Sequence, residues 1–467
     1  MILKNKFIVT LALSIFLVNC STNSTNTTNQ TATSSTKKDR NQVYKDFKLN
    51  PGVKVPKKLE VKDLSKKENL VINTNSPSEV KGIVIVYVDT DNELDEVLKI
   101  TNGELIGGIE EIGLAEIKIP DDKDPSDMAE MLLDQGFNAH PNTVKSLDNR
   151  VKRFSTKATT KDPSWDDEKN NWWLKQMNVP EAWDIQEPTA VKVGVIEFGA
   201  DKHTDINFKQ NTENVRKGKG ELDHANHVMG IINGISDNGV GITGVMKGKA
   251  DLTFYPIAGD DLSTIEAIKK ATDEGNRVIN MSYGATYSDP IKDEDMGKQS
   301  ADSIATIMPA IEYAKSKNVL IFLSAGNGIN KKDASGQEVF SRAIDTKFDS
   351  YSAVALQQDN VMCVANHNKD FNKSESSNFG AAVNISAPGE DIWSTGSNGE
   401  YMMMTGTSMS SPAAAGVAAL VLSKYPNLTY AQLKESIVNS ATKKVNTYNF
   451  PAINAKEALE YAKKFSK

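Results

Sequence analysis

The chain has almost no cysteine. Among 467 residues only Cys20 and Cys363 carry a thiol. A disulfide framework is therefore excluded, and the fold must rest on a large buried core. There is no excess of positive charge either. Fifty-four Lys and Arg face 61 Asp and Glu, giving a net charge of −7. That mildly acidic balance carries no footprint for nucleic acid. Beyond residue 18 no stretch is apolar enough to span a membrane, and no internal repeat is visible. The rest of the composition, 39% hydrophobic and 25% charged, is ordinary globular, and the length allows two or three domains.

What is present begins with a targeting segment, residues 1–20. Lys4 and Lys6 precede an apolar run, Phe7 to Val18, that is too short to span a bilayer stably. The run ends Leu17-Val18-Asn19-Cys20, which resembles a bacterial lipobox. The resemblance implies that Cys20 becomes a lipidated N-terminus and places the protein in a bacterial cell envelope, lipid-anchored to a membrane. Asn19 departs from the small residue expected before the cysteine, and the competing reading is an ordinary signal peptide with an incidental cysteine. Residues 21–79 are first Ser, Thr, Asn and Gln, then lysine-rich. Such a composition cannot bury a core and reads as a polar tether.

Order is expected from residue 80 to 148. Gly82–Val88, Leu105–Ile109, Ala115–Ile119 and Phe137–Val144 read as strands, and Asn92–Ile100 and Pro125–Gln135 as helices, with Ser126 as a helix-start signal. The order β-α-β-β-α-β is that of a small α+β, split βαβ domain. Residues 149–165 are basic, polar and turn-rich, a plausible processing junction.

From residue 166 to 467 the pattern changes to α/β. Apolar strands at Val191–Ile196, Leu252–Ile257, Arg277–Ser282, Val319–Ser324 and Val361–Ala365 alternate with helices. The helices are His224–Gly234, Leu262–Glu274, Ile304–Ser316, Ser408–Lys424 and Tyr430–Ser440. Continuous apolar strands alternating with helices predict a parallel sheet covered on both faces.

The most informative stretch is Gly406-Thr407-Ser408-Met409-Ser410-Ser411-Pro412 and the alanine-rich run after it. A serine sits where a tight turn opens a helix, beside the positive end of the helix dipole. Pro412 is expected in that helix's first turn. With Asp223-His224-Ala225-Asn226-His227 and Ser324-Ala325-Gly326-Asn327, the stretch resembles the subtilisin-like serine proteases. Trp172 to Trp183 resembles the segment that opens many mature members of that family.

The resemblance implies a subtilisin-like fold and an exported endopeptidase made as a zymogen. Residues 80–148 would be its propeptide, a folding aid and intramolecular inhibitor. Ser408 is the implied nucleophile, His224 the base and Asn327 the oxyanion donor, with His227 structural. Ser282, Tyr283 and Gly284, and Ser324, Ala325 and Gly326, resemble the two segments that pair with substrate backbone. The partners implied are protein or peptide substrates. No cofactor is needed for the chemistry. A structural calcium ion at Asp205 with Asp237 or Asn238 is set against polar turn residues without metal.

The third triad position departs from the family. Val195-Ile196-Glu197-Phe198-Gly199 stands where Val-Ile-Asp-Ser/Thr-Gly is expected. Glutamate can orient an imidazole, but its extra methylene shifts the carboxylate by about 1 Å, and misplacement of that size can cost about a hundredfold. Ala225-Asn226 also replaces the family's Gly-Thr beside the histidine. The competing function is therefore a subtilase-fold lipoprotein that binds peptides without cleaving them. Asp201 and Asp223 are the alternative acids. Gly239 to Gly244 satisfies G-x-G-x-x-G, but it follows a helix and reads as a turn. The loop Ile329–Ser350 is expected to shape specificity, and Cys363 to be an inert core thiol.

Overall fold

The computed structural model describes residues 79–145, 154–156, 170–211, 222–284, 287–288 and 290–466, apart from positions 350, 447 and 449. The targeting segment with Cys20, the tether up to residue 78, and all of the junction except 154–156 lie outside the described residues.

The small domain runs β1 (Glu79–Tyr87), α1 (Asp91–Thr101), β2 (Glu104–Ile109), β3 (Leu114–Lys118), α2 (Pro125–Asp134) and β4 (Asn138–Thr143). Its antiparallel sheet has the order β2-β3-β1-β4. The α2 start signal is corrected by one turn's chemistry. Asp124, not Ser126, caps the helix, accepting from Ser126 N and Asp127 N, while Ser126 Oγ donates to Glu79 Oε1 at 2.6 Å.

The run Gly82 to Val88 lacks alternation because both faces of β1 are covered. Val84, Val86 and Val88 pack under α1 and α2. Ile85 and Tyr87, with Ile112 and Leu114, join instead the core of the large domain. Each such side chain is worth about 1.5–3 kcal/mol on full burial. Among the described residues the second face of the small sheet is thus completed by the large domain.

The large domain contributes β5 (Phe154–Thr156), α3 (Trp172–Gln176), α4 (Val179–Ile185), β6 (Lys192–Glu197), β7 (Lys209–Gln210), α5 (Leu222–Asn233), β8 (Asp251–Pro256), α6 (Asp261–Asp273), β9 (Val278–Met281) and β10 (Tyr287–Ser288). It continues with α7 (Asp293–Ser316), β11 (Leu320–Ser324), β12 (Ile329–Lys332), β13 (Glu338–Arg342), β14 (Val361–His367), β15 (Val383–Pro388), β16 (Ile392–Thr395), β17 (Tyr401–Met404), α8 (Thr407–Lys424), α9 (Tyr430–Ser440) and α10 (Ala455–Ala462).

Seven strands form one sheet in the order β15-β14-β11-β9-β6-β8-β7, every pair parallel. Side chains alternate between its faces. Val195, Phe254 and Phe322 point to a core shared with α5, α8, α9 and α10. Ile196, Tyr255 and Ile321 point to a core shared with α6 and α7. Helices on both faces explain the continuous apolar strands. The loop after Ile329 is a hairpin, β12 against β13. Among the described residues no helix is long and apolar enough to cross a membrane.

Candidate active site

The carboxyl ends of β6, β9 and β11 converge, as in parallel α/β sheets generally. Glu197 ends β6, its backbone carbonyl accepting from Ile257 N at 3.0 Å. Its side chain is fully buried, with Oε2 3.3 Å from His224 Nδ1. The contact is an ion-pair distance without hydrogen-bond geometry: neither carboxylate oxygen, nor His224 Nδ1, has a hydrogen-bond partner among the described groups. Phe198, where the family has a small hydroxyl, cannot donate. Its ring packs edge-on against Tyr283, centroids 5.4 Å apart.

His224 lies in the first turn of α5 and is buried. Its Nδ1 faces Glu197, and Nε2 has no partner among the described residues. His227, one turn on, directs Nε2 at the carbonyls of Ile392 and Met402, 3.0 and 3.2 Å away. Burial, with His224 nearby, lowers its pKa to about 3, so it is neutral.

The alternative acids are committed elsewhere. Asp201 Oδ1 accepts from Asn226 Nδ2 at 2.6 Å, and Oδ2 from Asn398 N at 2.8 Å. Asp223 Oδ1 accepts from Ser397 N at 2.8 Å and Ser397 Oγ at 2.5 Å. Asn226 also donates to Gly396 O at 2.8 Å. The Ala-Asn pair beside the histidine therefore has a structural use, tying α5 to the loop 396–398.

Helix α8 starts one residue earlier than expected, at Thr407. Pro412 consequently falls inside the helix rather than in its first turn. The carbonyl of Ser408, four residues back, thereby loses its helical N–H. Ser408 Oγ donates to Ser282 O at 3.0 Å. The hydroxyl is thus held by a backbone carbonyl, and the His224 imidazole is not its acceptor.

Asn327 Oδ1 accepts from Thr407 N and Thr407 Oγ1, at 2.8 and 3.0 Å. This fixes the amide so that Nδ2 is left without a described partner. A side chain at Gly406 would come within 3.2 Å of that nitrogen, so the glycine permits the close approach.

The two expected backbone-pairing segments fare differently. Ser282, Tyr283 and Gly284 follow β9. Ser324–Gly326 end β11, but Ala325 N donates to Val364 O at 3.0 Å and Gly326 N to Thr407 Oγ1 at 3.1 Å. Those two N–H groups serve the protein's own fold. The edge that does carry an added strand was not anticipated. It is the stretch after β8, where Val144 lies antiparallel to Asp260 and Lys145 N donates to Gly259 O. The readable signal was Asp260-Asp261 a short turn after a buried strand, a helix start with two carboxylates.

The three calcium candidates do not converge as oxygen ligands. Asp205 Oδ1 accepts from Asn238 Nδ2 at 2.6 Å, and Oδ2 accepts from Ile242 N and Tyr401 OH. Asn238 Oδ1 accepts from Val240 N, and Asp237 is exposed. Among the described residues no metal-ligand cluster is found. Gly241 keeps this network closed, since a side chain there would enter the Tyr401 ring. Cys363 is buried in β14, and burial raises its pKa well above the ordinary value.

This chain belongs to the subtilase family. The Peptidase S8 family profile matches residues 131–455. The chain is 26% identical to thermitase of Thermoactinomyces vulgaris over 303 residues, 62% of this chain and 95% of the relative. It is 29% identical to subtilisin BL of Lederbergia lenta over 301 residues, 62% of this chain and 97% of the relative. Fervidolysin of Fervidobacterium pennivorans, a keratinolytic enzyme related to subtilisin, superposes with a TM-score of 0.61 at 22% identity. The match covers 82% of this chain and 61% of that one, and speaks for the fold alone. The fold is subtilisin-like, and subtilases are serine endopeptidases that need no cofactor for their chemistry.

Proposed function

We propose that this protein is a serine endopeptidase working through a Ser408-His224-Glu197 triad. The observation that carries the reading is the buried Glu197–His224 pair, 3.3 Å apart, with Nε2 of the imidazole left unpartnered. In the reaction Ser408 Oγ turns from the Ser282 carbonyl, gives its proton to His224 Nε2 and attacks the peptide carbonyl carbon. The carbonyl oxygen becomes an oxyanion, held by Ser408 N–H and Asn327 Nδ2. Glu197 stabilises the imidazolium, which then protonates the leaving amine. Water, deprotonated by His224, releases the acyl group and restores Ser408.

The chain is a zymogen in this reading, and residues 80–148 are its inhibitor. Support comes from the strand added at Gly259 and from β5, which pairs with β17 just before Gly406. Residues 146–153 connect these two places, so the processing bond is assigned there, within or next to the junction. Cys20 anchors the protein to a membrane of the bacterial envelope.

A second reading rests on the Ser408–Ser282 hydrogen bond. If the hydroxyl stays there, the groove binds peptides without cleaving them. Fluorophosphonate labelling separates the two. Labelling of the wild type, absent in Ser408→Ala, is expected. No labelling, with no cleavage of casein, refutes the protease reading.

A further inference from the structure

Thr143-Val144-Lys145 leaves the small domain as an extended strand and lies antiparallel to the edge at Gly259 and Asp260. With a period of two, Thr143 and Lys145 point the same way. Both reach Asp261, the first residue of α6. Thr143 donates from N at 3.1 Å, and from Oγ1, to Asp261 Oδ2. The Lys145 ammonium lies 3.3 Å from Asp261 Oδ1, with side chains 3% and 0% exposed. It donates to Ser303 Oγ at 2.7 Å and Thr143 Oγ1 at 2.8 Å, and lies 5.2 Å above the Tyr351 ring. Tyr351 OH in turn donates to Asp261 Oδ1 at 2.9 Å. The ammonium thus has two hydrogen bonds, an ion pair and an aromatic face around it.

Asp261, Ser303 and Tyr351 all belong to the large domain, so another strand on the same edge would meet the same side chains. It is also close to the chemistry. The edge begins at Ile257, bonded to the carbonyl of Glu197. Any peptide that pairs with Gly259 on its way to Ser408 presents a side chain to Asp261. With the strand in place the Asp261 carboxylate is fully buried, and an occupant that covers it without a cation leaves it a tyrosine hydroxyl as its side-chain donor, so the pocket favours a cation.

We propose that Asp261, Ser303 and Tyr351 form a substrate subsite selecting a lysine side chain in the peptide segment N-terminal to the scissile bond. This rests on the endopeptidase reading above and names the substrate class it acts on: chains carrying an extended hydroxyl-x-lysine segment ahead of the cleaved bond.

The test is a fluorogenic peptide series on the wild-type enzyme after its own maturation, with Lys, Leu or Glu walked along the residues before the cleaved bond. At one position Lys is expected to raise kcat/KM at least about tenfold over Leu, with Glu poorest. Asp261→Asn should bring the Lys-to-Leu ratio at that position near unity, and Ser303→Ala should lower it. The peptide series itself needs no altered enzyme, so a misfolded variant does not stop the test. Cleavage and fluorophosphonate labelling with no Lys preference at any position overturn the subsite and leave the protease reading standing. No labelling and no cleavage of any peptide overturn both.

Discussion

Glu197→Gln isolates what the unusual acid contributes. The amide is isosteric and keeps an oxygen that can accept from His224 Nδ1, so the shape is nearly kept and the charge is removed. At 3.3 Å, and at an effective dielectric of about 20, a full imidazolium–carboxylate pair is worth about 5 kcal/mol. At about 1.36 kcal/mol per tenfold, that ceiling is between three and four powers of ten in rate. The figure agrees with the roughly ten-thousandfold loss when trypsin's triad carboxylate is made an amide. Two features of this site bear on the size. Both groups are buried, so water cannot replace the lost charge. But among the described residues no hydrogen bond holds the Glu197 carboxylate, so its placement is looser than in a site with supporting donors. We therefore expect kcat to fall about 10³-fold, with KM changed little, because the imidazolium exists only along the reaction path. The assay is steady-state cleavage of a fluorogenic peptide, with melting temperature as a fold control. A correctly folded Glu197→Gln enzyme with kcat within a few-fold of wild type would falsify the role assigned to Glu197. Asp201 and Asp223 could not inherit that role without giving up Asn226, Asn398 or Ser397.

Asn327→Leu should lower kcat about a hundred- to a thousandfold, the magnitude measured for this donor in subtilisin, a relative; it should also lower the melting temperature, because Thr407 N loses its acceptor. His227 and His367 are both held near pKa 3, below the ordinary 6.5, chiefly by burial. Their unfolded forms bind protons first, so stability should be full above about pH 6.5 and fall steadily toward pH 3. Urea melts across that range check this, and a flat profile refutes it. Cys20→Ala should release the protein from the membrane fraction; persistence there after a salt wash would rule out the lipid anchor.

The sheet was legible because parallel strands covered on both faces are continuous apolar runs. Val361–His367 and Leu320–Ser324 stood out for that reason alone. Helix α7 was half legible. Its expected start at Ile304 misses the turns from Asp293, which are polar except where Met296 enters a small cluster with Tyr287 and Ile329. The residues of the candidate site were readable from local motifs at Ser408, His224 and Asn327, since each motif describes the turn or helix end that presents its side chain. What the motifs could not carry was tertiary. The pairing of Lys145 with Asp261 joins residues 116 positions apart. The use of Asn226 to hold Asp201 depends on the fold of the loop 396–398. The docking of Ile85, Tyr87 and Leu114 onto α6 and α7 shows only as missing alternation in β1.

Phe198 connects the altered acid to the edge and the pocket. Its ring lies against Gly259, where a side chain would come within 2.7 Å of it, and packs on Tyr283. Tyr283 packs on Tyr351, centroids 5.9 Å apart, and Tyr351 bonds Asp261. The end of β6 is thus wedged, and it cannot slide toward His224 to accommodate a shorter acid. Glu197→Asp draws the carboxylate back by about 1 Å, and we expect it to lose at least about tenfold in kcat although it restores the family's residue. Phe198→Ser alone removes a largely buried ring and should cost on the order of 3 kcal/mol of stability. Together the two changes supply both the shorter acid and the room and hydroxyl that support it. The double variant should therefore recover part of the activity lost in Glu197→Asp, a coupling expected only of neighbours that share a space. The measurement is a double-mutant cycle in kcat, run below the melting temperature of the least stable variant. If the two effects simply multiply, Phe198 is a packing residue with no bearing on the acid, and the glutamate was not accommodated through it.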